Sequence, residues 1–75
     1  MAIVELKAEL AGVIWKVVSV PGQKVAEGDD VVVIESMKME IPVCAIADGM
    51  VIEILVAEGD TVSEGMVLAR IEARS

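Results

Sequence analysis

The sequence contains no histidine, tyrosine or phenylalanine, and it has one cysteine and one tryptophan. Without histidine the chain has no imidazole general base, no Ser-His or Cys-His nucleophile pair, and no histidine ligand for zinc or haem. A single cysteine, Cys44, cannot form an internal disulfide or a cysteine-rich metal site, and it fits a reducing cytoplasm. These absences exclude catalytic and metal sites that depend on histidine or on several cysteines.

Long hydrophobic runs and positive charge are also scarce. The longest stretches free of charged residues, such as 17–23 and 41–47, are seven residues long, whereas a membrane span needs about 20 apolar residues. Residues 1–5 lack the basic and apolar regions of a signal peptide. Thirteen acidic residues against six basic ones give a net charge of −7, which opposes binding to phosphate backbones. We therefore expect a soluble, acidic, cytoplasmic protein that binds neither membranes nor nucleic acid.

Valine and isoleucine supply most of the apolar residues, with 22 of the 75 positions. Residues with branched β-carbons favour pleated sheets and are less favourable in helices. A chain of this length forms one domain at most. The composition therefore predicts a small all-β domain.

An internal repeat relates the two halves of the chain. A shift of 37 residues aligns 12–35 with 49–72 without a gap and gives seven identities, three of them glycines. Glycine that recurs in register indicates the same special backbone positions in both halves. Because tandem arrays usually need three or more units, two copies are expected to interlock about a pseudo-twofold axis.

Turn residues divide each half at corresponding places and predict eight short strands. The predicted strands are 3–9, 13–19, 24–26, 31–36, 39–45, 50–57, 61–63 and 67–72. We predict a flattened barrel or sandwich of two four-stranded antiparallel sheets with internal pseudo-twofold symmetry. The last predicted strand should point Ala69 and Ile71 inward and Arg70 outward. A bulge near Lys16 and Glu53 would explain adjacent apolar residues there.

The predicted strands and the repeat also indicate where Trp15, Cys44 and Lys38 lie in the fold. Trp15 is expected to pack against a sheet, and Cys44 to be a small core residue. Adding 37 takes Met1 to Lys38 and Lys38 to Ser75. If the symmetry holds, Lys38 lies at one pole of the domain and the two chain ends lie at the other.

The segment around Lys38 joins the two halves as a predicted hairpin tip. It lacks the Asn-Gly or Asp-Gly that tight two-residue hairpins prefer, so positive φ angles at Met37 or Lys38 would cost free energy. Methionine packs adaptably and suits surfaces where different partners dock. Most lone lysines in hairpins are only solvated. The symmetric position, the missing turn residue and the two methionines make Lys38 a candidate, but they do not by themselves outweigh that simpler interpretation.

Glu35-Ser36-Met37-Lys38-Met39-Glu40 resembles the biotinylation motif of biotin carboxyl carrier domains. The similarity extends through 22–28, 31–35, Ala45 and Asp48-Gly49. The chain is most similar to small free-standing biotin/lipoyl attachment proteins. The resemblance implies that residues 1–75 form a single biotinyl/lipoyl-attachment domain, with quasi-repeats 12–35 and 49–72.

The resemblance also implies a function. Lys38 would accept biotin as an amide from a biotin protein ligase, with Met37 and Met39 as motif flanks. Glu35, Ser36 and Glu40 would contribute more weakly to recognition by the ligase. The attached biotin would shuttle carboxyl groups between biotin carboxylase and carboxyltransferase subunits. The chain would be a non-catalytic carrier and a monomer on its own.

Two alternatives remain open at this point. Lipoyl domains share the architecture and would carry lipoate on the same lysine, but they typically have Asp before it and a small residue after it, where this chain has Met37 and Met39. The other alternative is a non-covalent interaction module that docks through the same hairpin.

Overall fold

The computed structural model describes residues 2–74, which form eight β-strands and no helix. The strands are β1 (Ala2–Lys7), β2 (Gly12–Val17), β3 (Lys24–Val25), β4 (Asp30–Ser36), β5 (Met39–Cys44), β6 (Gly49–Ile54), β7 (Thr61–Val62) and β8 (Val67–Ala73). All eight predicted strands are present, with ends that differ from the prediction by up to three residues. Since residues 2–74 contain no helix, they offer no helical candidate for a membrane span.

The strands form two antiparallel sheets related by the 37-residue repeat. One sheet has the order β1-β8-β6-β3 and the other has the order β5-β4-β2-β7. The shift converts every strand of one sheet into its equivalent in the other. The two-residue strands β3 and β7 each pair with a strand from the opposite half of the chain. The predicted fold class, two interlocked four-stranded sheets with pseudo-twofold symmetry, is therefore confirmed.

A hydrophobic core lies between the sheets and follows the same symmetry. It consists of Leu6, Ala8, Ile14, Val25, Val31, Val32, Ile34, Ala45, Val51, Val56, Val62, Leu68, Ala69 and Ile71. Ala69 and Ile71 point inward as predicted, while Arg70 between them is half-buried. Burial of each large aliphatic side chain contributes about 1.5–3 kcal/mol. At the position equivalent to Val56, Ser19 is buried and donates its hydroxyl to a backbone carbonyl, which satisfies the polar group.

β-Bulges interrupt β2 and β6 at equivalent residues. The pairing register shifts between Ile14 and Lys16 and again between Val51 and Glu53. These are the places where a bulge would explain the adjacent apolar residues of the sequence. Trp15 is the extra residue of the first bulge. Its side chain is 42% exposed, with the Lys16 Nζ atom 5.0 Å from the ring centre. Trp15 is therefore more exposed than expected: it follows the buried Ile14 and so lies on the solvent face of β2, and the bulge leaves Lys16 exposed beside it.

The ends of the described chain lie beside each other, far from the β4–β5 hairpin. Ala2 pairs with Ala73, and the Arg74 N–H donates to the Asp48 carbonyl at 2.8 Å. The Asp48 carboxylate in turn accepts the Glu27 N–H at 2.8 Å, just before β4 begins. β4 then runs away from this contact for seven residues, or about 20 Å. The hairpin tip and the chain ends therefore occupy opposite poles of a domain whose longest dimension is 36 Å.

Candidate functional site

The tip of the β4–β5 hairpin is a strained two-residue turn. The strands pair as far as Ser36 and Met39, so Met37 and Lys38 alone make the connection. Their φ angles are 52° and 65°, in the left-handed region that type I′ hairpins require. Residues with a Cβ atom pay about 1–2 kcal/mol each for this conformation. The residue types at the tip therefore oppose the local backbone geometry.

The side chains at the tip are accessible to a partner. Met37 is 89% exposed and Met39 is 58% exposed, and Lys38 between them is exposed as well. Within residues 2–74 the salt bridges are those of Arg70 with Glu5 and Glu53, so Lys38 forms none with the described carboxylates. The tip thus holds a solvent-accessible amine flanked by two exposed thioethers.

Glu35 and Glu40 lie directly opposite each other at the base of the tip. They form a cross-strand pair between β4 and β5, and both are exposed. Like charges in this arrangement destabilise a sheet. The pair is thus a second feature of the hairpin that folding alone does not favour.

The hairpin tip is supported from one side by the loop between β1 and β2. Ser36 donates its hydroxyl to the Ala11 carbonyl at 2.9 Å. The next residue, Gly12, packs so closely that an added Cβ atom would lie 2.6 Å from the Glu35 carbonyl oxygen. The sequence pattern did not predict this role of Ala11 and Gly12. The repeated glycine, Gly12 and Gly49, was the sequence feature that could have indicated this contact. At both positions the backbone of a neighbouring strand lies too close for a side chain.

Cys44 lies away from the tip and outside the core. It is half-buried at the end of the edge strand β5, so the expectation of a core residue is wrong. Its Sγ atom lies 3.3 Å from a carboxylate oxygen of Asp30. This hydrogen bond, together with partial burial and the charges of Asp30 and Asp29, raises the pKa of the Cys44 thiol above its ordinary value. The thiol is therefore less reactive than an exposed one.

The six predicted site residues, 35–40, come together because they form one hairpin. The amine and the two methionines occupy its end, the two glutamates form its base, and Ser36 faces the supporting loop. This arrangement places an amine at the end of a paired strand hairpin. The specific roles assigned to these residues in attachment stay predictions.

Comparison with known proteins identifies the family. The family model described as "Biotin-requiring enzyme" matches residues 2–71. The chain therefore belongs to the biotin/lipoyl family of carrier domains.

Relatives of two sizes resemble the chain. It is 47% identical over 60 residues to a biotin/lipoyl attachment protein of Bacillus subtilis, covering 80% of this chain and 82% of the relative. It is 39% identical to a biotinylated protein of Mycobacterium leprae, covering 87% of this chain and 92% of the relative. A biotin-dependent acyl-coenzyme A carboxylase subunit of the same organism is 45% identical, but the match covers only 11% of that subunit and 87% of this chain.

Solved structures confirm the fold. A domain of the Kluyveromyces lactis urea carboxylase superposes with a TM-score of 0.91 at 39% identity, covering 96% of this chain and 6% of that one. The lipoyl domain of the 2-oxoglutarate dehydrogenase complex from Azotobacter vinelandii superposes with a TM-score of 0.71 at 35% identity, covering 85% and 82% of the two chains. The carboxylase domain is thus the better structural match.

Proposed function

We propose that the protein is a biotin carboxyl carrier whose Lys38 accepts biotin as an amide. The observation that carries this proposal is the turn itself. An exposed lysine between two exposed methionines occupies a conformation that these residues disfavour, at the pole opposite the chain ends. Backbone strain of this kind concentrates at functional sites. The biotin-dependent relatives support biotin as the attached group.

The residues at the tip fit attachment through a covalent bond. The Lys38 amine attacks the carboxyl carbon of an activated biotin, an amide C–N bond forms, and the activating group leaves with the amine losing a proton. A lysine amine is protonated at neutral pH, and only the neutral form is nucleophilic. A biotin ligase is therefore the partner that removes the proton and supplies the activated acyl group. Met37 and Met39 serve as its contact points.

After modification the chain acts as a carrier and catalyses nothing itself. Biotin, when attached, supplies the ureido nitrogen that carries a carboxyl group. The β4–β5 hairpin holds the arm at the pole farthest from the chain ends, where it reaches a carboxylase site and a carboxyltransferase site in turn. Tethering raises the effective concentration of the carried group at both sites. The carboxylase relatives, of which the chain covers a small part, support these two partner classes.

Lipoate is the second candidate for the attached group. The lipoyl domain from Azotobacter vinelandii shares the fold at 35% identity, so the scaffold suits either cofactor. The methionines on both sides of Lys38 favour biotin, because the Met-Lys-Met sequence resembles the biotinylation motif of biotin carriers and differs from the residues typical of lipoyl domains. The two candidates differ in which ligase modifies Lys38.

Intact-mass spectrometry after co-expression with a biotin ligase tests the proposal. The wild-type protein should gain the mass of one biotinyl group, and peptide mapping should locate it at Lys38. Lys38→Arg should abolish the adduct completely, whereas Lys24→Arg, which removes another exposed lysine, should leave it intact. Parallel incubation with a lipoate ligase and lipoate should give little product.

Three results would contradict the proposal. They are an unmodified wild-type protein, an adduct that survives Lys38→Arg, and preferential lipoylation. An unmodified lysine in cells that contain the ligase would instead favour a non-covalent docking module.

A further inference from the structure

Ser36 makes the side-chain hydrogen bond that links the hairpin tip to the rest of the domain. Its hydroxyl donates to Ala11 across 25 residues of sequence, at a distance of 2.9 Å. The loop comes this close because Gly12 has no side chain. An added Cβ atom there would lie 2.7 Å from the Ile34 side chain and 3.3 Å from the Ser36 Cβ atom. The contact therefore depends on Ser36 and on the glycine beside its acceptor.

The opposite pole makes the equivalent contact in a different way. The 37-residue shift relates Ala11 to Asp48 and Ser36 to Ala73. The Asp48 carbonyl accepts the backbone N–H of Arg74 at 2.8 Å, because the chain continues in the direction of β8. At the tip the chain turns away at Met37, where φ is 52°. The Ala11 carbonyl accepts the Ser36 hydroxyl in place of a backbone N–H.

We infer that Ser36 is a positioning residue for the modification of Lys38, an inference that rests on the proposed function. Its hydroxyl replaces the backbone hydrogen bond that the turn displaces, and it anchors the last strand residue before Met37 and Lys38. An anchored hairpin loses less conformational freedom when a ligase docks on it. On this account Ser36 acts through the hairpin rather than by touching the ligase, which differs from the recognition role that the sequence resemblance implied.

Ligase kinetics combined with amide hydrogen exchange test this inference. The variants are Ser36→Ala, which removes the hydroxyl, and Ser36→Thr, which keeps one. Ser63→Ala is the matched control, because Ser63 is exposed and the serine hydroxyls that donate hydrogen bonds within residues 2–74 are those of Ser19 and Ser36. Ser36→Ala should lower kcat/KM for biotinylation about three- to tenfold, as loss of one hydrogen bond implies. It should also speed exchange at residues 37–40. Ser36→Thr should restore both properties, and Ser63→Ala should match the wild type.

Two outcomes overturn the inference. If Ser36→Ala lowers kcat/KM while exchange at residues 37–40 stays unchanged, Ser36 contacts the ligase directly. If Ser36→Ala matches the wild type in both measurements, the hydroxyl anchors nothing. A wild-type protein that the ligase fails to modify would overturn the proposed function instead, and the exchange comparison would still test the anchor.

Discussion

Positive φ angles occur at two kinds of turn in residues 2–74. Four of them belong to glycines in turns related by the 37-residue repeat, with angles of 91° at Gly22, 95° at Gly28, 93° at Gly59 and 85° at Gly65. The other two belong to Met37 and Lys38. In the four repeat-related turns, the residue at positive φ is glycine, which adopts this conformation without steric cost. At the hairpin tip Met37 and Lys38 are residue types that this backbone conformation disfavours, so the stability of the fold does not account for their presence.

The strongest test of this comparison is to place a disfavoured residue at the glycine turns. Gly28→Val and Gly65→Val should each lower the free energy of unfolding by about 2 kcal/mol, because a β-branched residue is strained at positive φ. Space is not the cause, since an added Cβ atom at either glycine would meet nothing within 4 Å. Urea denaturation measures the loss.

The control for the glycine variants is Ala26→Val, at an exposed neighbouring position. It should change the free energy of unfolding by less than about 0.5 kcal/mol, the usual range for surface substitutions. Losses as small as this for Gly28→Val and Gly65→Val would remove the strain argument.

The reverse experiment gives the hairpin tip the residues that its backbone prefers. The double variant Met37→Asn, Lys38→Gly should raise the free energy of unfolding by about 1 kcal/mol, since relief of two strained residues outweighs the extra chain entropy of one glycine. It should also abolish biotinylation. Thermal and urea unfolding measure the gain, and Met39→Ala serves as a control that leaves the turn unchanged. A double variant no more stable than the wild type would show that Met37 and Lys38 cost the fold nothing.

A smaller difference between the halves concerns Cys44, whose equivalent in β1 is Lys7. Because the Asp30 hydrogen bond raises the pKa of the Cys44 thiol, its thiolate fraction at mildly alkaline pH is lower than that of a free thiol. The rate of alkylation by iodoacetamide should therefore rise at higher pH than it does for glutathione. Asp30→Asn should move the profile to lower pH, and Glu40→Gln, on the same strand as Cys44, should leave it in place. Identical profiles for the wild type and Asp30→Asn would refute this.

Much of the fold was predictable because local and symmetric signals agree. β-Branched runs mark the strands, and glycine recurring at a fixed offset marks equivalent turns. The predicted strands 13–19 and 50–57 were too long because apolar residues continue past Val17 and Ile54. Ser19 and Val56 lie beyond the ends of β2 and β6, where strand pairing has stopped, and both are still buried. The apolar residues Val18, Val20 and Leu55 beside them are exposed, so an apolar run past the end of a strand indicates neither strand pairing nor burial of each residue.

The candidate site was predictable where it is local in sequence and unpredictable where it is not. Residues 35–40 are contiguous, so their shared hairpin followed from the strands on either side. The support by Ala11 joins residues 25 positions apart, and no local pattern specifies such a contact. The exposure of Trp15 agrees with strand alternation once Ile14 is known to be buried, but β2 is apolar nearly throughout, so its sequence does not show which of the two residues faces the core.

The pairing of Ala2 with Ala73 repeats that of Met39 with Ser36 on the other side of the molecule. At the hairpin, two residues close the gap between such partners. Between Ala73 and Ala2 stand Arg74, Ser75 and Met1, so a peptide bond engineered from Ser75 to Met1 would make the backbone a ring of two matching arcs. Opened elsewhere, for example at Gly22, the ring would become a circular permutant with the same sheets and its lysine still at a pole.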